Sequence, residues 1–226
     1  DCGAGGQFAR RRISFARTDQ APGRILAGVC IIKSLILSGL SHRFGYQRIL
    51  QSIDLHLSAG ETVALVGPSG CGKTTLLNLA AGLITPWEGR VDCSFVRPAM
   101  MFQQPRLLPW KRTRDNIALG LKAQGLSPAA CHRTAQALAK NMGLQDEDLE
   151  KFPAALSGGM QSRVALARAF AIQPDLLLLD EAFSALDIGL KHELYALLDA
   201  ERRASGCAVL MITHDLRLLS TTGPER

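Results

Sequence analysis

The sequence predicts an α/β fold built on a mainly parallel sheet flanked by helices, and three observations predict it. Short, wholly apolar runs at 63–66, 176–179 and 208–212 each end in polar residues. Continuous rather than alternating hydrophobicity suits parallel strands covered on both faces, with ligands bound beyond their carboxyl ends. The first of these runs leads through a glycine-rich turn into a helix-forming segment. Finally, 226 residues, 47% hydrophobic and 20% charged, suffice for one full hydrophobic core and exclude wholesale disorder.

Taken in order, residues 1–33 read as an N-terminal extension, disordered or non-native, with Gly-rich stretches and the run Arg10-Arg11-Arg12. Residues 34–226 read as the folded domain. Val63-Ala64-Leu65-Val66 is a strand, and the run from Thr75 to Ala81 is a helix. A fourth apolar run, 99–102, delivers Gln103 in the same manner. The character then turns helical. Ser127-Pro128 is an N-cap with a first-turn proline, and Gly143 is a C-terminal stop. A further helix starts near Ser157 and ends at Gln173-Pro174. The domain thus divides into a core, 34–103 and 174–226, and an inserted helical subdomain, 104–173.

Six cysteines without a CxxC pair suggest neither a zinc ribbon nor a disulfide framework. No apolar run reaches the roughly 18 residues of a spanning helix. The nearest, 25–40, is broken by Lys33, Ser34, Ser38 and Gly39, so membrane attachment is expected through a partner. The formal charge of +6 suits an anionic partner or an ordinary basic surface equally, because the basic residues are spread along the chain.

Gly67-Pro68-Ser69-Gly70-Cys71-Gly72-Lys73-Thr74 matches GxxxxGK[ST]. In such a loop the glycines let backbone N–H groups wrap phosphates, the lysine reaches the terminal phosphates and the hydroxyl binds Mg2+. A chance match in a chain of this length is on the order of 1%. The strand before it and the helix after it, opening at Thr75, place the phosphates at a helix N-terminus. Cys71 reads as an inert spacer. Asp180-Glu181, at the end of the 176–179 run, supplies what phosphoryl transfer to water needs. Asp180 belongs to the Mg2+ shell and Glu181 orients and deprotonates the attacking water.

Leu156-Ser157-Gly158-Gly159-Met160 resembles the signature motif of ABC ATPases, and further features follow in that family's order. Gln103 resembles the Q-loop glutamine, Ser184-Ala185-Leu186-Asp187 the D-loop, His214 the switch histidine and Phe44 the aromatic that stacks on adenine, with Tyr46 as its competitor. The resemblance implies a P-loop NTPase of ABC type with a small, shortened antiparallel β-subdomain. It implies ATP and Mg2+ as cofactors, with Gln103 contacting the metal or the attacking water. It also implies a head-to-tail homodimer, in which Lys73 of one subunit and Ser157, Gly158 and Gly159 of the other clamp each ATP.

Gln103-Gln104-Pro105-Arg106-Leu107-Leu108-Pro109-Trp110 resembles the permease-facing segment of nitrate, sulfonate and taurine importer ATPases. That implies transmembrane permease subunits and, indirectly, a periplasmic solute-binding protein. It implies a location at the cytoplasmic face of the bacterial inner membrane and no nucleic-acid partner. Gln161-Ser162-Arg163 and Ala182 depart from the family's usual form, and 86–101 is short. The rival readings are a soluble ABC ATPase, such as an iron-sulfur assembly ATPase, and a catalytically impaired homologue.

Overall fold

A computed structural model describes residues 14–18 and 33–213. Ser14–Thr18 forms β1, Ser34–Phe44 β2, Gln47–Ser58 β3 and Thr62–Val66 β4. The helix Lys73–Ala80 (α1) follows, then Glu88–Cys93 (β5) and Pro98–Met101 (β6). Further along, Leu176–Asp180 is β7 and Ala208–Ile212 is β8. Two sheets result. One has the order β1-β4-β8-β7-β6 and the other β3-β2-β5.

Strands β4, β8, β7 and β6 run parallel. These are the four apolar runs of the sequence, and alternate residues on each strand serve two separate cores. Ala64, Leu177, Leu179, Val209 and Met211 face the helical side with Leu166, Phe170 and Leu194. Val63, Leu65, Leu176, Leu178 and Leu210 face α1 (Leu76, Leu77) and the antiparallel sheet (Leu35, Leu37, Leu57). Burial on both faces is why the runs do not alternate.

The antiparallel sheet is the β-subdomain. Strands β2 and β3 pair from Ser34↔Ser58 to Phe44↔Gln47, with register shifts between Leu37 and Arg43. Their two-residue turn begins at Gly45, whose φ of 58° lies in the region that glycine adopts most readily. Only six residues of β5 complete the sheet.

The helical elements are Thr113–Ile117 (α2), Leu119–Ala123 (α3), Pro128–Asn141 (α4) and Gly158–Ala171 (α5), with two short 3-10 turns before α5. Ser127 Oγ accepts the Ala130 N–H at 3.4 Å, and Gly143 takes φ 72° just beyond α4. Ile188–Ser205 (α6) was not foreseen in the sequence; Asp187 caps it and Gly206 ends it at φ 69°. Among the described residues no helix is long and apolar enough to cross a membrane.

One boundary differs from expectation. Within the extension 1–33, β1 joins the core sheet antiparallel to β4, from Ser14↔Val66 to Thr18↔Thr62. Without β1, that side of β4 would present unpaired backbone groups, and a short extended segment satisfies them.

Candidate functional site

The phosphate loop connects β4 to α1. Gly67, Gly70 and Gly72 take φ values of 156°, 73° and 99°, so the chain turns through conformations that side chains rarely adopt. At Gly72 a Cβ would also lie 2.8 Å from Leu50 Cδ2 and 2.9 Å from Ile49 Cγ2. The loop is therefore seated against β3. Lys73 is buried and donates to the carbonyls of Gly67 at 2.8 Å and Pro68 at 3.0 Å. Its ammonium is held inside the loop by the loop's own backbone. Pro68, Ser69, Gly70 and Thr74 form the exposed lip, Cys71 points inward and Thr75 is half-buried.

At the carboxyl end of β7, Thr74 Oγ1 donates to Asp180 Oδ1 at 3.0 Å, linking residues 106 positions apart. Burial pushes the Asp180 carboxyl above its usual range; the Thr74 bond opposes this and the Glu181 charge adds to it. Glu181 has φ 48°. Left-handed backbone at a non-glycine residue costs about 1–3 kcal/mol and tends to mark functional sites. The Glu181 carbonyl accepts the Ser184 N–H at 2.9 Å, starting the turn of 181–187.

Gln103 leaves the end of β6 and its Nε2 donates to Ser184 Oγ at 3.4 Å, so the segments holding Gln103 and Asp187 touch. Arg168 on α5 braces the stretch after Gln103. Its guanidinium donates to Pro105 O at 2.7 Å and Arg106 O at 2.9 Å, while Arg106, at φ 44°, stacks over the Phe102 ring at 4.0 Å. Beyond it, the fully buried Asn116 accepts from Leu108 N and donates to the carbonyls of Leu108, Lys111 and Arg112. This pins the loop whose outermost side chain, Trp110, is 70% exposed. Arg168 and Asn116 carried no signal in the sequence; only the hydrogen bonds they make in the folded state reveal them.

Ser157 caps α5, its Oγ accepting the Met160 N–H at 3.3 Å. The two glycines after it serve different ends. A Cβ on Gly158 would meet nothing within 4 Å, whereas one on Gly159 would lie 2.3 Å from Leu190 Cδ2. Gly159 lets α5 approach α6, and Gly158 leaves the helix N-terminus open to solvent. Asp187 Oδ1 accepts the Leu190 N–H at 3.0 Å as the cap of α6.

Phe44 ends β2 and is 56% exposed. Its ring meets His42 edge-on at 4.8 Å, and His42 pairs across the sheet with Leu50, which touches Gly72. Phe44 is thus held against His42 at the end of β2, whereas Tyr46 projects fully into solvent from the turn. His214 lies outside the described residues; the chain reaches its position from Thr213, whose N–H is 3.4 Å from Leu65 O at the end of β4.

The fold that carries this arrangement, a parallel sheet flanked by helices beside an antiparallel sheet, agrees with the protein's relatives. Residues 50–184 match the family model described as ABC transporter. Over 206 residues the chain is 44% identical to the aliphatic sulfonates import ATP-binding protein SsuB 2 of Pseudomonas fluorescens, spanning 88% of this chain and 73% of that one. This chain belongs to the ABC transporter family. A second relative of this ABC ATPase, the aliphatic sulfonates import ATP-binding protein SsuB of Pseudomonas putida, is 44% identical over 204 residues, spanning 87% and 72%. Among solved structures, the ATP-binding cassette MJ0796, a dimer in a post-hydrolysis state bound to ADP and Pi, superposes with a TM-score of 0.70 at 26% identity, covering 81% of this chain and 89% of that one. The fold is also that of cbiO1 from Clostridium perfringens, at a TM-score of 0.74 and 23% identity, covering 84% and 82%. Like the ATP-binding proteins of its family, this ABC ATPase binds and hydrolyses ATP.

Proposed function

We propose that this ABC ATPase energises uptake of a small solute of the nitrate, sulfonate and taurine group. It acts at the cytoplasmic face of the bacterial inner membrane, on permease subunits supplied by a periplasmic solute-binding protein. The reading of the solute rests on the 44% identity to two sulfonate-import ATP-binding proteins across nearly nine-tenths of this chain. Within the chain we divide the work between a nucleotide-holding core, 34–103 and 174–226, and a helical subdomain, 104–173, that faces the permease.

The observation that carries the mechanism is the open N-terminus of α5. Ser157 and Gly158 are exposed and nothing lies within 4 Å of a Cβ at Gly158. Unpaired N–H groups at a helix start, aided by the helix dipole, attract anions. In a head-to-tail homodimer this cap meets the phosphates held by the partner subunit's loop. The likeness to a dimeric cassette bound to ADP and Pi supports that assembly.

Within one subunit the loop from Gly67 to Thr75 wraps the phosphates and Lys73 turns from its two carbonyls to the terminal ones. Thr74 and Asp180, 3.0 Å apart, give the hydroxyl and carboxylate oxygens that suit Mg2+ when substrate phosphates complete its shell. The metal, when bound, neutralises charge on the phosphates. Glu181 takes a proton from the attacking water, and Gln103 and His214 orient that water and the γ-phosphate. Gln103 leads directly into the braced segment that presents Trp110, so its movement reaches the permease.

Co-expression with a sulfonate permease of this class tests the proposal. The expected result is a detergent-stable complex whose Mg-ATP turnover rises with solute-loaded binding protein, with Trp110→Ala losing that rise and keeping basal turnover. Failure to form the complex, or an unchanged rise in Trp110→Ala, would contradict it.

A further inference from the structure

Gln103 sits inside a closed turn. The Arg106 guanidinium folds back over the Phe102 ring at 4.0 Å, and Arg106 takes φ 44°, left-handed geometry that a residue with a side chain adopts only at a cost. Gln103 itself is exposed, and its side chain is tied among the described residues only by the long 3.4 Å bond to Ser184 Oγ. The turn is fixed from another element. Half-buried Arg168 on α5 donates from its two terminal nitrogens to Pro105 O at 2.7 Å and Arg106 O at 2.9 Å. Among the described residues no carboxylate pairs with it, and burial holds its guanidinium below the usual arginine range. A half-buried cation answered by two carbonyls alone adds little to stability, because desolvation of the charge offsets what the bonds return.

We propose that Arg168 is a positioning residue for ATP hydrolysis, setting the place of Gln103 by clamping the turn of 102–106. Its bonds go to backbone carbonyls, so it acts through Gln103 and not on the reacting atoms. The inference rests on the reading of Gln103 as orienting the attacking water and the γ-phosphate. Without the clamp, the backbone at Arg106 relaxes out of its left-handed conformation, the turn opens, and Gln103 is left with the Ser184 contact alone. Arg168 bonds no residue of the phosphate loop, so ATP affinity does not depend on it. The clamp therefore makes a statement that packing alone would not: its loss lowers kcat without weakening ATP binding, and only while Gln103 is present.

The test is a double-mutant cycle on Mg-ATP turnover by the full chain, with ATP affinity measured by calorimetric titration and thermal melts establishing that each variant is folded. Variants are Arg168→Met, which fills much of the same space without a donor, Arg168→Lys, which keeps the charge but not the planar fork, and Gln103→Ala, alone and combined with each. Arg168→Met is expected to lower kcat by about 10- to 100-fold, the scale of a misplacement near 1 Å, and no further than Gln103→Ala does. Arg168→Lys falls between it and the parent, and carries the test if Arg168→Met does not fold. Both bind ATP like the parent, and in the Gln103→Ala background neither lowers kcat again. Unchanged kcat in the Arg168 variants overturns the proposal. A further fall in the combined variants, or parallel losses of affinity and turnover, also overturns it, because either reports a general disturbance of the fold. If Gln103→Ala turns over ATP like the parent, the role given to Gln103 is what fails, and the clamp has nothing to act through.

Discussion

Replacing Gly158 by Asp separates the stability of the subunit from its nucleotide-driven association. Gly158 opens α5, is exposed, has no neighbour within 4 Å of a Cβ and does not take positive φ. Nothing in the subunit resists the side chain. A carboxylate in the first turn of a helix contributes about 0.3–1 kcal/mol through the dipole. For a domain of this size that raises the melting temperature by no more than about 4 °C. In the proposed head-to-tail dimer the same carboxylate stands where the partner's ATP phosphates dock. One charge pair about 4 Å apart at an effective dielectric of 20–80 costs roughly 1–4 kcal/mol, a 5- to 900-fold loss in association. The measurement is differential scanning calorimetry of the nucleotide-free chain, with light scattering under ATP in a Glu181→Gln background. An equal or higher melting temperature with loss of the ATP-dependent dimer is expected. Dimerisation at the parent's ATP concentration would refute the reasoning.

Two further outcomes follow from neighbouring contacts. Gly159→Ala places a Cβ 2.3 Å from Leu190 Cδ2, so overpacking lowers stability by about 1–3 kcal/mol in denaturant titrations. Adding Leu190→Ala recovers part of that loss, and strict additivity of the two changes would contradict the contact. For Asp180, burial raises the folded carboxyl above its unfolded value. The folded state therefore holds more protons, and stability falls as pH rises from the ordinary carboxylate value through the raised one. Asp180→Asn, which removes this cost, melts above the parent at neutral pH without nucleotide. The gap narrows as pH falls below the raised value, and a pH-independent gap would contradict it.

The parts of this molecule that were legible in the sequence are those where chemistry fixes residue type at fixed spacing. The turn of Gly67 to Thr74 needs glycines at its positive-φ positions 67, 70 and 72, and Ser157 must cap the helix that begins at Gly158, so both announce themselves locally. Strands β4, β7 and β8 were legible because burial on both faces leaves unbroken apolar runs. The antiparallel sheet was read less well. Register shifts between Leu37 and Arg43 break the alternation that would mark β2, and its outer face is solvated. Pairing of β1 with β4 is a long-range choice with no local cue. The same holds for Arg168 on the Pro105 and Arg106 carbonyls, for Asn116 inside its loop and for Leu190 beneath Gly159, since each depends on a neighbour brought close only by folding. Asp187 shows the converse: its place in the D-loop was legible, but its helix-capping bond to Leu190 N emerged only with α6.

The central claim is that each ATP lies between Lys73 of one subunit and the Ser157–Gly158 cap of another. Mixing two defective chains tests it most directly: Lys73→Ala and Gly158→Asp, both in the Glu181→Gln background, measured by light scattering and by counting bound ATP. Each chain alone should stay monomeric with ATP. Their equimolar mixture should form a heterodimer holding one ATP, because one of its two sites combines an intact Lys73 with an intact cap. A mixture that remains monomeric, or either chain alone forming an ATP-bound dimer, would contradict the shared site.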